Sequence, residues 1–293
     1  MNDQAQGLRN LILNQHQQRQ RESTRTRILT VTSGKGGVGK SNFTLNFALT
    51  LQKKGFKVLV FDADIGLANI DVLMGVTAKY SLYHLLKKEK TIWEIIQQGP
   101  NGLQFIAGGS GFQDLIRLTE EQLDYFADQV QQLNGTVDFI IFDTGAGLSK
   151  ETLKFILSAE ETIVVTTPEP TSITDAYAII KMISSMEESI RFKLVVNRVT
   201  DWKEGRQTAD KISMVAKQFL KLDIPTLGFV YDDSNVSKAV KKQVPFTVQY
   251  PSCPASQSIS RLADDFISRQ SQSEQPEGAV KNFMSKMMKY LRH

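Results

Sequence analysis

One stretch combines residue types that could hold phosphate: Thr32-Ser33-Gly34-Lys35-Gly36-Gly37-Val38-Gly39-Lys40-Ser41. It fits G-x-x-x-x-G-K-[ST], with Gly34 and Gly39 as the fixed glycines. Glycines let successive backbone N–H groups curl around a phosphate, and a helix N-terminus adds a favourable dipole. Lys40 can then reach β- and γ-phosphates, and the Ser41 hydroxyl can hold Mg²⁺. A plain Gly-rich turn would share the glycines but would not need the lysine, the hydroxyl and the flanking elements together. Asp62 and Asp64 lie two apart, so in extended chain they share a face and both can look at a metal and a terminal phosphate. Asp143 closes another apolar run, where it could hold Mg²⁺ directly or through water. For Asp62, capping of the following helix is the competing use.

The elements that must position these residues are legible in the apolar pattern. The loop follows Ile28-Leu29-Thr30-Val31 and opens the helical series Phe43, Leu45, Phe47, Ala48, Leu49, Leu51. Further strand-like runs are Val58 to Phe61, Leu103 to Ala107, Phe139 to Phe142, Thr162 to Val165, Lys193 to Val196 and Thr226 to Val230. Helical spacing fills the gaps, as in Ala176, Ile179, Ile180, Ile183 and in the segment from Leu115 to Leu133. Strands that alternate with helices and are almost continuously apolar predict an α/β fold: a doubly wound, mostly parallel sheet flanked by helices. Ligands in such sheets bind beyond the carboxyl ends of the strands. The glycine-rich loop, Asp62 with Asp64, Asp143, Asn197 and Asp232 all fall at such ends, which predicts one site built from five strands.

The chain has 293 residues, 41% of them apolar, enough for one large α/β domain with tails. The single cysteine, Cys253, excludes an intrachain disulfide framework and a multi-cysteine metal site, and suits a reducing compartment. No signal peptide or transmembrane run is recognisable, so a cytoplasmic protein is expected. His16, His84 and His293 are scattered and carry no catalytic pattern. The net charge of +4 is unevenly placed: +3 in residues 1–27, +4 in residues 278–293 and therefore −3 between them. A mildly acidic core with basic ends argues against a broad nucleic-acid footprint and for tails that meet an anionic surface or a specific partner.

The expected organisation is a flexible, Gln- and Arg-rich partner segment over 1–27, a nucleotide-binding domain over 28–270, a linker over 271–279 and a helix over 280–293. In the last of these, Val280, Phe283, Met284, Met287, Met288 and Leu291 fall on one helical stripe, with Lys281, Lys286, Lys289 and Arg292 opposite. A short, basic, amphipathic helix beyond a linker suits a membrane surface, with packing back on the core as the alternative.

The motifs together resemble the deviant Walker A family of P-loop ATPases that includes MinD and ParA (the SIMIBI class). The resemblance rests on Lys35 directly after Gly34, on Asp64-Ile65-Gly66-Leu67-Ala68-Asn69-Ile70-Asp71 as switch I, and on Asp143-Thr144-Gly145-Ala146-Gly147 as switch II. It extends to the run from Thr167 to Ala176 and to Asn197-Arg198, covering about residues 28–265. MinD itself usually has proline where Gly145 stands. The resemblance implies ATP hydrolysis with Mg²⁺ in a homodimer, with Lys35 reaching the partner subunit's phosphates and Asp64 positioning the attacking water. It assigns nucleotide contacts to Gly34, Lys35, Gly36, Gly37, Val38, Gly39, Lys40, Ser41 and Asn42, with Asn197, Arg198, Tyr231 and Asp232 near the base, and metal contacts to Ser41, Asp62 and Asp143.

Both ends are similar to the FlhG group (also YlxH or FleN) of MinD-like regulators of flagellar number and placement. Asp3-Gln4-Ala5-Gln6-Gly7-Leu8-Arg9 resembles that group's D-Q-A-x-x-L-R motif. The likeness implies that Gln4, Ala5, Leu8 and Arg9 meet a GTPase of the FlhF, signal-recognition-particle type. It also implies that flagellar basal-body (C-ring) proteins are partners, and that the terminal helix binds anionic membrane lipid in the ATP state. A ParA-type DNA-segregation ATPase or a MinD-type division-site regulator is the alternative; an iron–sulfur carrier would need more than one cysteine.

Overall fold

The apolar run ahead of the glycine-rich loop forms β1 (Arg27–Ser33), with every residue after Arg27 buried. The other strands are β2 (Val58–Ala63), β3 (Gln97–Gln98), β4 (Gln104–Ile106), β5 (Phe139–Ala146), β6 (Glu161–Thr166), β7 (Arg191–Val199) and β8 (Thr226–Tyr231). The helices are α1 (Lys40–Lys53), α2 (Ile70–Met74), α3 (Leu82–Leu86), α4 (Ile92–Ile95), α5 (Glu120–Gln131), α6 (Lys150–Ser158), α7 (Pro170–Met186), α8 (Trp202–Leu220), α9 (Ser234–Lys241), α10 (Phe246–Gln249), α11 (Pro254–Gln270) and α12 (Ala279–Leu291). The structure, a computed structural model, describes residues 26–64, 69–108, 119–147, 149–187, 189–270 and 278–291. The switch I residues 65–68, the start of the predicted Leu115–Leu133 helix, and Gln4, Ala5, Leu8 and Arg9 lie outside the described residues.

Strand order is β3-β4-β2-β5-β1-β6-β7-β8. All pairs are parallel except β3 with β4, which the sequence did not signal because β3 consists of two glutamines. β1 lies between β5 and β6, so the sheet is wound outwards from it in both directions, and the crevice opens at the carboxyl ends there. Period-2 alternation assigns the faces. Val58, Val60, Phe139 and Ile141 pack under Phe43 and Phe47 of α1 and Ile259 and Phe266 of α11. Leu59, Phe61, Ile140 and Phe142 face the opposite layer with α3, α4, α5 and α12.

The terminal helix takes, in this structure, the seat that the sequence left as the alternative to a membrane, packing back on the core. Phe283, Met284, Met287 and Met288, expected on lipid, are buried with Val280 against that opposite layer, and Leu291 is partly buried beside them. Phe283 stacks on Phe142 with ring centres 4.8 Å apart. Lys286, also expected at lipid, donates to Ser189 Oγ at 3.0 Å. It lies 3.7 Å from Glu187 as well. The Ser189 hydrogen bond, with Lys286 adding to it, holds the Glu187 carboxyl below its usual range despite partial desolvation. Of the predicted basic face, Lys281 and Lys289 are exposed, and Arg292 lies outside the described residues. The physical reason is that an apolar stripe requires an apolar partner without naming it, and the face beside Phe142 between α5 and α6 supplies one. No helix among the described residues is long and apolar enough to cross a membrane.

Docking makes a stability prediction. Phe283→Ala removes a buried ring stacked on Phe142, so urea unfolding should show a loss of roughly 3–5 kcal/mol. An unchanged midpoint would mean that α12 does not rest on the sheet in solution.

Candidate functional site

The loop is shaped as a cradle. Gly39 caps α1 with φ 91° and no side-chain cap, and the first turn holds no acid, so its N–H groups have no competing side-chain acceptor. A Cβ on Gly36 or Gly37 would meet nothing within 4 Å, so the loop is open on its outer side. A Cβ on Gly34, in contrast, would come within 2.2 Å of the Asp175 carbonyl carbon, so the loop can sit against α7 only with glycine there. Asn197 braces the other side: its Nδ2 donates to the Val38 carbonyl at 2.7 Å. A short cleft lined by Gly39, Asn42, Phe43, Asn197, Arg198, Tyr231 and Asp232 runs from the loop to the end of β8. The predicted base-side residues are thus brought to one place.

At the floor of the cradle Lys40 is 6% exposed and Asp143 1%. The Lys40 ammonium donates to Asp143 Oδ1 at 2.9 Å. It also donates to Ser41 Oγ at 3.1 Å. Thr44, one helical turn beyond Lys40, donates to the same Asp143 oxygen at 2.8 Å. Sequence reasoning missed Thr44, although its i+4 relation to Lys40 was a usable signal. Asp64 lies 4.0 Å from Lys40. Burial holds the Asp64 carboxyl above its usual value, opposed by the Lys40 charge.

Asp62 stands beside Asp143 in the β2–β5 register. Its Oδ2 accepts from Asn69 N–H at 3.0 Å and from Ile70 N–H at 3.1 Å. Its Oδ1 accepts from Asp64 N–H at 3.2 Å. Both oxygens are therefore engaged in capping α2 and holding the turn after β2, the use that had stood second for this residue. Burial, and then the Asp143 charge, push the Asp62 carboxyl up to about 7.

Lys35 reaches the start of α7. Its ammonium, on a side chain 41% exposed, pairs with Glu169 at 3.1 Å. It also donates to Thr171 Oγ1 at 3.0 Å. Gly145 has a local reason: a Cβ there would lie 3.0 Å from Thr152 Oγ1 and 3.3 Å from Asp64 Oδ1, so any side chain would crowd the Asp64 carboxylate.

The donor set fits a nucleotide with Mg²⁺. Ser41 Oγ and Asp143 both border the Lys40 ammonium and offer hard oxygens. Mg²⁺ needs only one or two protein oxygens beside phosphate and water. Among the described residues no group of three His, Cys, Asp or Glu could hold a metal alone.

Comparison with known proteins places this geometry. A ParA family model, described as NUBPL iron-transfer P-loop NTPase, matches residues 24–267. The flagellum site-determining protein YlxH of Helicobacter pylori is 40% identical over 270 residues, 91% of each chain. The antiactivator FleN of Pseudomonas aeruginosa is 32% identical over 263 residues, 90% of this chain and 94% of its own. Among solved structures, the MinC:MinD cell division protein complex of Aquifex aeolicus matches with TM-score 0.67 and 26% identity, covering 85% of this chain and 98% of that one. MinD of Pyrococcus horikoshii, solved with Mg-ADP, has TM-score 0.67 at 23% identity, covering 84% and 98%, a likeness of fold alone.

The raised Asp62 carboxyl gives a pH test. The folded chain binds this proton more tightly than the unfolded chain, whose value is near 3.8. Its contribution to stability is therefore complete below about pH 4 and lost as pH rises towards 7. Asp62→Asn cannot titrate. The stability of wild type minus that of the variant, from urea unfolding between about pH 5 and 8, should fall with rising pH and level off above about 7. A constant difference over that range would show Asp62 ionised throughout.

Proposed function

Because the chain belongs to the ParA/MinD family of P-loop NTPases and is an ATPase like its relatives, we propose that it is an ATP-driven switch controlling the number and placement of flagella. The loop N–H groups and Lys40 hold the phosphates, while Asn42, Asn197, Arg198, Tyr231 and Asp232 surround the base. Ser41 and Asp143 would hold Mg²⁺, which when bound neutralises charge on the transferring phosphoryl group. Asp64 would orient the attacking water, and Asp62, which holds the Asn69 and Ile70 amides, would lie in the outer shell of the metal. Lys35 leaves Glu169 and Thr171 to meet phosphates held by a second copy, which makes the active species a homodimer.

The observation that carries the switch is the seat of α12. Its apolar stripe rests on Phe142, the residue before Asp143, so the nucleotide-facing carboxylate and the helix seat are consecutive residues of β5 on opposite faces. The stripe cannot serve the core and a membrane at once. ATP binding would release it to anionic lipid with Lys281, Lys286 and Lys289 alongside, and hydrolysis would return it. The likeness to YlxH and FleN favours flagellar over division-site control. In this reading the segment with Gln4, Ala5, Leu8 and Arg9 stimulates an FlhF-type GTPase, and basal-body C-ring proteins are the other partners.

Co-sedimentation with anionic liposomes tests the switch. Full-length protein should pellet with ATP and not with ADP, Asp64→Ala should stay on lipid with ATP because it binds without turnover, and a chain ending at Glu277 should remain in the supernatant. Binding that ignores the nucleotide, or that survives removal of α12, would overturn the reading.

A further inference from the structure

β8 is the last strand of the sheet: β7 pairs with one side of it, and no strand among the described residues pairs with the other. Its sequence, Thr226-Leu227-Gly228-Phe229-Val230-Tyr231, contains no charged residue. Edge strands usually carry a lysine or another charge within them to discourage pairing. Here the charges stand beside the strand. An open groove of about 330 Å³ follows the outer edge of β8 between α8 and α11. Trp202 and Arg206 form one wall; Arg261, Asp265 and Arg269 line the other, with Phe229 on the floor. Trp202 is 61% exposed. Its ring meets Phe229 edge-on, with centres 6.4 Å apart.

The arginines are set for acidic company. Arg269 Nη1 donates to the Thr226 carbonyl at 3.4 Å, so a guanidinium already addresses the edge backbone as a neighbouring strand would. Arg206 donates to Asp210 through Nε, and its side chain is exposed. Arg261 is exposed on α11. Asp265 is the one acidic side chain lining the groove among the described residues, and the central body of the chain is acidic overall, so this basic wall is local.

We propose that this edge is a docking site for an extended acidic segment of a partner protein, added alongside β8. Main-chain hydrogen bonds to the free edge would give affinity; alternate side chains would meet Trp202 and Phe229 or pair with Arg206, Arg261 and Arg269. A second copy of this chain fits less well. It would bring the same arginines against one another. The groove meets the nucleotide cleft at Tyr231, which lines both, while Arg206, Arg261 and Arg269 line the groove alone.

The test uses full-length protein and two fluorescein-labelled octapeptides, one alternating glutamate with valine and one alternating lysine with valine, read by anisotropy. The acidic peptide should bind and the basic one should not. Arg261→Glu should weaken binding roughly tenfold or more while leaving basal ATP turnover unchanged. Trp202→Ala, which removes an exposed ring and no charge, should weaken it through the other wall. Hydrogen exchange should show the amides of Thr226–Tyr231 protected by the peptide. No binding at about 1 mM, equal binding of the basic peptide, or indifference to Arg261→Glu would overturn the proposal. Protection of those amides by self-association, rising with protein concentration and not with peptide, would do so as well.

Discussion

A buried lysine must be matched by negative charge, and in this protein one pair carries that demand. Lys40 and Asp143 meet at 2.9 Å beneath the loop. Leaving either member alone in such a place costs several kcal/mol, so the pair dictates what lies around it. Thr44 adds a second donor to the carboxylate. Ser41 shares the ammonium. Asp62, next to Asp143 in the sheet, cannot keep a full charge so cheaply and is held by backbone N–H groups instead. Phosphate presented to the loop would compete with Asp143 for Lys40, and a metal ion would compete with Lys40 for Asp143. The same two groups therefore hold the fold together and, in the function proposed above, receive the nucleotide.

The consequences reach the far face through β5. Asp143 faces α1 and Phe142 faces α12 because neighbouring residues of a strand point oppositely. The α12 stripe is worth about 1.5–3 kcal/mol for each large side chain removed from water, whether the cover is the sheet or a lipid surface. In the proposed switch, moving it from one to the other would be a near-balanced exchange, which a nucleotide of modest leverage can tip.

Much of this was legible in the sequence, for physical reasons that differ residue by residue. The cradle was readable because its glycines, lysine and hydroxyl sit within one short stretch and act through backbone. Asp62, Asp64, Asp143, Asn197 and Asp232 were readable as a group because parallel strands deliver their carboxyl ends to one edge. β3 was not, since two glutamines pair through backbone alone. The rival use of Asp62 was visible, but its outcome depended on the amides of Asn69 and Ile70, seven and eight residues further along. The Lys35–Glu169 pair spans 134 positions and joins two loops, a relation that no local pattern contains. The terminal stripe announced an apolar partner, and the sequence could not say that the sheet face at Phe142 would be it.

The central claim is that occupancy of the Lys40–Asp143 floor governs the seat of α12. Hydrogen exchange of the amides in Ala279–Leu291 reads that seat directly, comparing full-length protein with ATP and with ADP in the absence of lipid. The account predicts slow exchange with ADP and markedly faster exchange with ATP. Equal protection with both nucleotides would contradict it and leave α12 as a fixed part of the core.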